Sequence, residues 1–210
     1  MAHPGGDTRL PSVTLLGSVS QFCRQFRGPR PVRRLTPKHT VLIIMRTEAA
    51  DYWKLFKPSA CNVKLKGTTQ ESVFGEIAAG LVKSKGLPAE MAEGVVQVLV
   101  QREELASTGI GQTVAIPHVK IEGLEEALVS LSVHPAGLDW RSLDGLPVHL
   151  LFTVLRPAQA GPKHDPERHL AMMRWVSLIG QQADFRRFAL NVGTRTELVD
   201  LLKEISGKLA

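Results

Sequence analysis

Apolar residues recur with a helical period over two successive stretches of the chain, which predicts two amphipathic helices. The first begins at Thr68 and Glu71, which have the spacing of a capping box, and ends near Gly86. Its apolar face consists of Val73, Ile77, Leu81 and Val82. The second begins at Pro88, a residue suited to a first helical turn, and ends near Arg102. Its apolar face consists of Met91, Val95, Val98 and Leu99.

The pattern then changes to one that is typical of strands. Val114–Ile116 is a short apolar run, and Ala127–Val133 alternates as a half-buried strand does. Val148–Leu155 is almost wholly apolar, as expected of a central strand. Asp144-Gly145 supplies a turn ahead of this last strand.

Three more helices are predicted in the last part of the chain, the first of them after Pro166. Its inward side is expected to carry Leu170, Met173, Val176, Leu178 and Ile179. Asp184 would cap the second, and Thr196 would cap the third, which ends near Ile205. Two helices, then strands, then helices predict a single α/β sandwich over residues 51–207, with a central mixed sheet flanked by helices.

Charge divides the chain into two parts. The net charge is +6, but residues 1–46 carry eight Lys and Arg against one Asp, which leaves residues 47–210 at −1. Residues 1–50 also hold five prolines and no sustained apolar period, which predicts a disordered basic extension ahead of the domain. The alternative is that Met45 is the true start of the protein.

Composition also bears on partners and compartment. Because the domain is close to neutral, nucleic acid is not an expected partner, and any such binding would belong to the extension. Val41–Ile44 is far shorter than the roughly 20 apolar residues of a membrane span, so no integral membrane segment is expected. Cys23 and Cys61 make no disulfide framework and are typical of a reducing cytoplasm.

The segment 102–120 holds the residues best suited to chemistry. Its loop contains Thr108, Gly109 and Gly111, and it follows the predicted helix end at Arg102. Glycine allows successive backbone N–H groups to point to one side. We therefore expect this loop to form an anion-binding concavity with the Arg102 guanidinium beside it.

His118 is the candidate nucleophile of this segment. Pro117 fixes the backbone before it, and a neutral imidazole beside anion-binding groups can accept a phosphoryl group and release it again. The competing interpretation is an ordinary loop histidine. His169, near the start of the helix after the central strand, is a second candidate that would contact the phosphoryl group or orient His118. The alternative for His169 is a surface histidine.

Other chemistries lack their motifs. His164 and His169 are five residues apart rather than three or four, and no carboxylate or thiolate cluster accompanies them, so a zinc site is not expected. Ser107 lies outside any G-x-S-x-G sequence, and the chain has no nucleotide-binding glycine motif. We expect neither a metal nor another cofactor.

The candidate residues lie in a recognisable pattern. The run 107–118, which contains S-T-G-I-G and A-I-P-H, resembles the signature of the enzyme IIA domain of the mannitol/fructose class in the bacterial phosphotransferase system. Asp144-Gly145, the strand 150–154 and His169-Leu170 resemble the same family. Its nitrogen-related regulatory branch is the most similar. The resemblance extends from roughly residue 52 to residue 206.

The resemblance implies a role for each site residue. His118 would accept a phosphoryl group from the histidine-containing phosphocarrier protein, and Arg102 and His169 would flank the phosphohistidine. The active-site loop would include Thr108, Gly109 and Gly111. The domain would work in the cytoplasm without a cofactor, and its acceptor would be an enzyme IIB or regulatory target proteins.

Three functions remain open at this stage. The resemblance favours a regulatory phosphoryl carrier of the nitrogen type. The alternatives are a sugar-uptake enzyme IIA that passes phosphate to a fructose- or mannitol-type enzyme IIB, and a regulatory module that acts by contact alone. The donor is expected to dock on an apolar rim to which Ile110, Ile116 and Leu138 contribute. Val119 stands where the family commonly has glycine, and its stiff side chain is expected to change the local backbone.

Overall fold

The computed structural model describes residues 51–209. The predictions of a disordered extension over residues 1–50 and of an alternative start at Met45 lie outside the described residues. The helices are α1 (Gln70–Lys83), α2 (Ala92–Leu105), α3 (Pro166–Gln181), α4 (Ala183–Ala189) and α5 (Arg195–Leu209). The strands are β1 (Gly109–Gly111), β2 (Val114–Ala115), β3 (His118–Ile121), β4 (Leu128–Leu138) and β5 (Val148–Pro157). Short 3₁₀ turns lie at Tyr52–Leu55, Pro58–Ala60 and Ala89–Met91.

The strand β5 lies at the centre of a mixed sheet. On one side β4 runs antiparallel to it. On the other side β2 and β3 run parallel to successive parts of β5, with Val114 opposite Leu150 and His118 opposite Val154. β1 extends the sheet by pairing antiparallel with β2. This central position explains why the sequence of β5 is almost wholly apolar, and it confirms the predicted mixed sheet.

Helices cover both faces of this sheet. Alternate residues of β5 point to opposite faces. Leu151 and Leu155 pack in a core with residues of α1 and α2, whereas Phe152 and Val154 pack in a second core with residues of α3, α4 and α5. The predicted α/β sandwich is therefore confirmed. Within residues 51–209 no helix combines the length and the apolar character that crossing a bilayer requires.

The start of α1 differs from the predicted one by a residue. Thr69 rather than Thr68 caps the helix: its hydroxyl accepts from the N–H of Ser72, and the Ser72 hydroxyl accepts from the N–H of Thr69. Glu71 takes no part in this reciprocal pair. Two adjacent threonines offer two possible caps, and a serine three residues after the second one decides between them.

The end of α1 also departs from the expected glycine stop. Lys85 adopts the left-handed conformation, with φ of 60°, that glycine usually provides. The N–H groups of Lys85 and Gly86 donate to the carbonyls of Val82 and Leu81. Gly86 therefore belongs to the helix terminus, but it is not the residue that reverses the chain.

The second helix extends past its predicted end. α2 finishes at Leu105, so Arg102 lies inside its last turn rather than at its exit. Val95 and Leu99 face the core as expected, but Val98 is 37 % exposed. Glu103 is only 1 % exposed, although its sequence neighbours are charged.

Three details of the last helices correct the sequence-based prediction. In α3 the buried side chains include Trp175 and Val176, whereas Leu170 and Leu178 are each 51 % exposed. A helix turns by about 100° per residue, so Leu170 lies on the side opposite these buried residues, which include the large Trp175. The cap of α4 is Gln182 rather than Asp184. The cap of α5 is Thr194 rather than Thr196, because the Thr194 hydroxyl accepts from Glu197 N–H.

Candidate functional site

His118 begins β3 directly after a break in the line of strands beside β5. Ile116 and Pro117 form this break. The N–H of Ile116 donates to the Thr108 carbonyl at 3.0 Å, and the Pro117 carbonyl accepts from the N–H of Val154 at 2.8 Å. Both groups anchor the break to the surrounding chain. The carbonyl of Ile116 turns instead to the imidazole of His118.

This contact selects one tautomer of His118. Its Nδ1 lies 2.9 Å from the Ile116 carbonyl oxygen. A carbonyl oxygen can only accept a hydrogen bond, so Nδ1 carries the proton in the neutral ring. Nε2 then keeps a free electron pair. The backbone thus orients the ring through Nδ1, and this contact does not involve Nε2.

The half-buried His118 lines a pocket of about 440 Å³ between α2, β3 and the end of β5. The cations of its lining are Arg102, Lys120 and Arg156, and Val98 and Leu105 contribute apolar surface. No Asp or Glu is among the lining residues from the described part of the chain. A pocket with three cations and no carboxylate attracts an anion.

Arg102 reaches this pocket from the last turn of α2. Its Nη1 donates to the carbonyl of Ala106 at 2.7 Å, which holds the half-buried side chain at the end of the helix. A guanidinium has five N–H donors in a planar fork. The remaining donors of Arg102 belong to the lining of the pocket that also holds His118. The structure brings Arg102 and His118 together as the sequence predicted.

Arg156 is a pocket residue that the sequence pattern did not single out. It lies at the end of β5 opposite Lys120, two residues beyond Val154, which is opposite His118. Residues two apart in a strand share a face, and so do residues paired across neighbouring strands. His118, Lys120 and Arg156 therefore emerge on one face of the sheet. The available signal was an arginine at the end of an otherwise apolar strand.

His169 lies in the first turn of α3 and lines a neighbouring pocket of about 230 Å³. Its ring meets that of His164 edge to face, with centroids 5.7 Å apart. Desolvation by burial, followed by the charges of Arg156, His164 and His118, lowers the pKa of His169 to about 4. The ring is therefore neutral at pH 7. The electrostatic coupling links His169 to the His118 pocket although it lines a different cavity.

The predicted phosphate loop is occupied by internal contacts. The N–H and the hydroxyl of Thr108 donate to the carboxyl group of Glu103 at 2.7 and 2.5 Å, and Trp140 Nε1 donates to the same hydroxyl at 3.2 Å. Gly109 N–H donates to the Ser107 hydroxyl at 3.1 Å. These N–H groups are thus not open to an anion. At Thr108 and Gly109 the N–H groups therefore stabilise the loop itself, and the role of the loop in anion binding stays a prediction.

The two glycines of this loop serve close packing instead. A Cβ on Gly109 would lie 2.7 Å from Ser142 Cβ, a distance that side chains do not tolerate. Gly111 has φ of +87°, and a Cβ there would lie 3.1 Å from the Asp144 carboxyl group. Both glycines let β1 pack against the loop that precedes β5. Neither lines the His118 pocket.

Val119 does not distort the local backbone, contrary to the expectation from the sequence. It lies within β3 opposite Leu155, and its side chain is buried in the core with α1 and α2. An extended strand suits a β-branched residue. The position after His118 therefore anchors β3 in the core, while His118 itself faces the pocket.

The apolar rim of the pocket also differs from the expected one. Ile116 and Leu138 are buried in the core, and neither they nor the exposed Ile110 lines the pocket. Two exposed side chains of α2 take this place: Val98, and Leu105, which is 85 % exposed. The rim therefore comes from α2 rather than from the strands.

Comparison with known proteins decides the family. Residues 54–205 match the family described as "Phosphoenolpyruvate-dependent sugar phosphotransferase system, EIIA 2". The chain belongs to this family. The match covers the described sheet, both helical layers and the His118 pocket, and it confirms the resemblance seen in the sequence. The protein is thus a phosphoryl carrier domain of the phosphotransferase system.

Individual relatives agree with this assignment. A nitrogen regulatory protein from Pseudomonas aeruginosa is 31 % identical over 152 residues, which are 72 % of this chain and 94 % of that protein. The crystal structure of nitrogen regulatory protein IIA-Ntr from Neisseria meningitidis matches with a TM-score of 0.62 and 25 % identity, over 71 % of this chain and 97 % of that one.

The fold is also that of a sugar-specific relative. An Escherichia coli complex of the mannitol enzyme IIA with phosphorylated enzyme IIB matches with a TM-score of 0.53 and 16 % identity. The match covers 69 % of this chain and 94 % of the matched one. At this identity the likeness concerns the fold alone.

Proposed function

We propose that this protein carries a phosphoryl group on Nε2 of His118 and receives it from the histidine-containing phosphocarrier protein. The hydrogen bond from Nδ1 to the Ile116 carbonyl is the observation that carries this proposal. In the neutral ring, it leaves Nε2 with an electron pair that needs no base to activate it. The membership of the family supports the same chemistry.

The transfer is a displacement at phosphorus. Nε2 of His118 forms the new phosphorus–nitrogen bond while the bond to the donor imidazole breaks, and the donor nitrogen keeps the electron pair. The ring of His118 gains positive charge in this step. The Ile116 carbonyl, which accepts from Nδ1–H at 2.9 Å, stabilises that charge. No proton has to leave Nε2.

The pocket holds the phosphoryl oxygens. Catalysis of phosphoryl transfer depends on positioning and on cations near the equatorial oxygens. Arg102 and Lys120 line the same pocket as His118, and no acid from the described residues lines it to repel the oxygens. His169 remains neutral at pH 7, so it can donate a hydrogen bond without adding charge. We assign it this supporting role.

The donor docks on the rim formed by α2. Val98 and Leu105 are exposed apolar side chains at the mouth of the pocket. Exposed apolar residues around a reactive group are suited to a protein partner, because they gain burial on association. The histidine of the donor would enter beside them, in the cytoplasm where the phosphotransferase system operates.

We infer a regulatory role of the nitrogen type for the phosphorylated form. The support is the 31 % identity with a nitrogen regulatory protein over nearly the whole length of that protein. The alternative acceptor is a fructose- or mannitol-type enzyme IIB. The fold shared with the mannitol enzyme IIA from Escherichia coli is compatible with this alternative.

The proposal is tested by incubation with phosphoenolpyruvate, enzyme I and the phosphocarrier protein, followed by intact mass measurement. We expect a gain of about 80 Da, one phosphoryl group, that is lost in acid. His118→Ala should show no gain. His149→Ala, a histidine outside both pockets, should be phosphorylated like the wild type. Absence of a gain with a competent donor would instead support a module that acts by contact alone.

A further inference from the structure

Arg156 is a half-buried cation with no carboxylate of the described residues within ion-pair distance. Its guanidinium makes no hydrogen bond or ion pair with residues 51–209. Burial of a charge without a partner is costly, and Arg156 is partly removed from solvent. An unpaired guanidinium in a pocket is therefore available to a ligand, and its five donors favour an anion with several oxygens.

The position of Arg156 places this charge beside His118. Arg156 lies in register with Lys120 and emerges on the same face of the sheet as His118. Both line the 440 Å³ pocket. Arg102 enters the same pocket from α2, on the other side of β3. His118 therefore shares its pocket with two guanidinium groups, one from a helix and one from the central strand.

We propose that Arg156 is a second phosphoryl-binding guanidinium of this pocket, which contacts oxygens of the group on His118 that Arg102 leaves free. This inference rests on the proposed function. A phosphoryl group has three equatorial oxygens that carry the charge in the transition state. One guanidinium contacts two of them in a forked geometry, so a second one completes the set. Arg156 is thus a catalytic residue of the transfer.

The same charge acts on His169. After burial, the positive charge of Arg156 is the largest cause that lowers the pKa of His169. Removal of this charge should raise that pKa. The effect gives an independent measure of whether the guanidinium lies close to His169, because it does not depend on any phosphoryl donor.

The test separates contact with the phosphoryl group from contact with the donor protein. His118 is phosphorylated either by the phosphocarrier protein or by phosphoramidate, a small donor that releases ammonia when its phosphorus–nitrogen bond breaks. The variants are Arg156→Gln, Arg156→Lys and the control Arg174→Gln, which removes an exposed arginine of α3. Initial rates are followed by mass, and the His169 pKa of each variant is measured by NMR.

We expect Arg156→Gln to slow phosphorylation by both donors roughly 100- to 1000-fold, the range for a removed transition-state donor. Arg156→Lys should recover part of the rate, since an ammonium keeps the charge but not the fork. Arg174→Gln should match the wild type. Arg156→Gln should also raise the pKa of His169, and the NMR spectrum of each variant shows that the fold is retained.

Two results would overturn the inference while the proposed function stands. One is a wild-type rate for Arg156→Gln with both donors. The other is a slowed rate with the phosphocarrier protein alone, which would assign Arg156 to donor docking. A wild-type protein that neither donor phosphorylates on His118 would overturn the proposed function itself, and the inference with it.

Discussion

Among individual residues, Thr108 and His118 of one short segment differ in how their polar atoms are engaged. Thr108 has its N–H and hydroxyl engaged by Glu103 and Trp140, so nothing is left for a ligand. His118 has one ring nitrogen engaged by a backbone carbonyl and the other left with its electron pair. The first residue stabilises the loop, and the second is available for chemistry.

His169 carries a prediction about pH. Its pKa is lowered from 6.5 to about 4, chiefly by burial and then by Arg156. In the unfolded chain the ring takes up a proton as the pH falls through about 6.5, whereas in the folded protein it does so only near 4. The free energy of unfolding contributed by His169 is therefore fully present above pH 6.5 and is lost as the pH falls toward 4.

NMR titration should show the His169 ring protons shifting with a midpoint near 4. Between pH 7 and pH 5, the free energy of unfolding measured by urea denaturation should fall less for His169→Gln than for the wild type. His149→Gln serves as the control for removal of a histidine outside the two pockets. A His169 midpoint at 6.5 would contradict the buried, positively surrounded position.

The sequence allowed part of the site to be predicted at this scale. His118 and Arg102 lie in a local motif, and their proximity requires only the chain between them. Arg156 reaches His118 through strand pairing with β3, a contact between residues far apart in the sequence. The burial of Glu103 was not predicted, because a charged residue among charged neighbours is normally expected to be exposed. Its burial becomes visible only with its partner Thr108.

At the scale of elements, Glu103 joins the end of α2 to the loop before β1. Its carboxyl group accepts two hydrogen bonds from Thr108, whose hydroxyl in turn accepts from Trp140 of the loop before β5. Three segments are thus held together at a buried point. Arg102 is the residue directly before Glu103, so this contact also fixes where the last turn of α2 presents its guanidinium.

We therefore expect Glu103→Gln to lower the free energy of unfolding by about 2 kcal/mol, since the amide N–H₂ would face the donors of Thr108. Chemical denaturation measures the change. Glu104→Gln, at the exposed neighbouring position, should stay within about 0.5 kcal/mol of the wild type. Equal stability of the two variants would show that the buried contact is not formed.

The elements themselves were predictable to different degrees. Long runs with a clear period, such as those of α2 and β5, were found with the right type. The caps of α1 and α5 were misplaced by one or two residues, because each start has two threonines close together. The start of α4 was misplaced because Gln182, which precedes the helix, makes no side-chain cap. The short strands β1 and β3 were missed, since each exists only through pairing with β2 or β5.

At the scale of the whole molecule, the site forms where both helical layers meet one edge of the sheet. α2 brings Arg102 from one layer, and α3 brings His169 from the other. The break between β2 and β3 places His118 at that edge, beside the end of β5 with its Arg156. The order of helices and strands in the sequence allowed the architecture to be predicted. The meeting of these residues at one edge depends on the register of the sheet.

The central claim is that the fold leaves Nε2 of His118 as the phosphorylated atom. The most direct test is two-dimensional NMR of the phosphorylated, ¹⁵N-labelled protein, in which coupling to ³¹P identifies the bonded ring nitrogen. We expect coupling to Nε2 of His118, with the Nδ1 proton retained and hydrogen-bonded. Phosphorus on Nδ1, or on a different histidine, would contradict it.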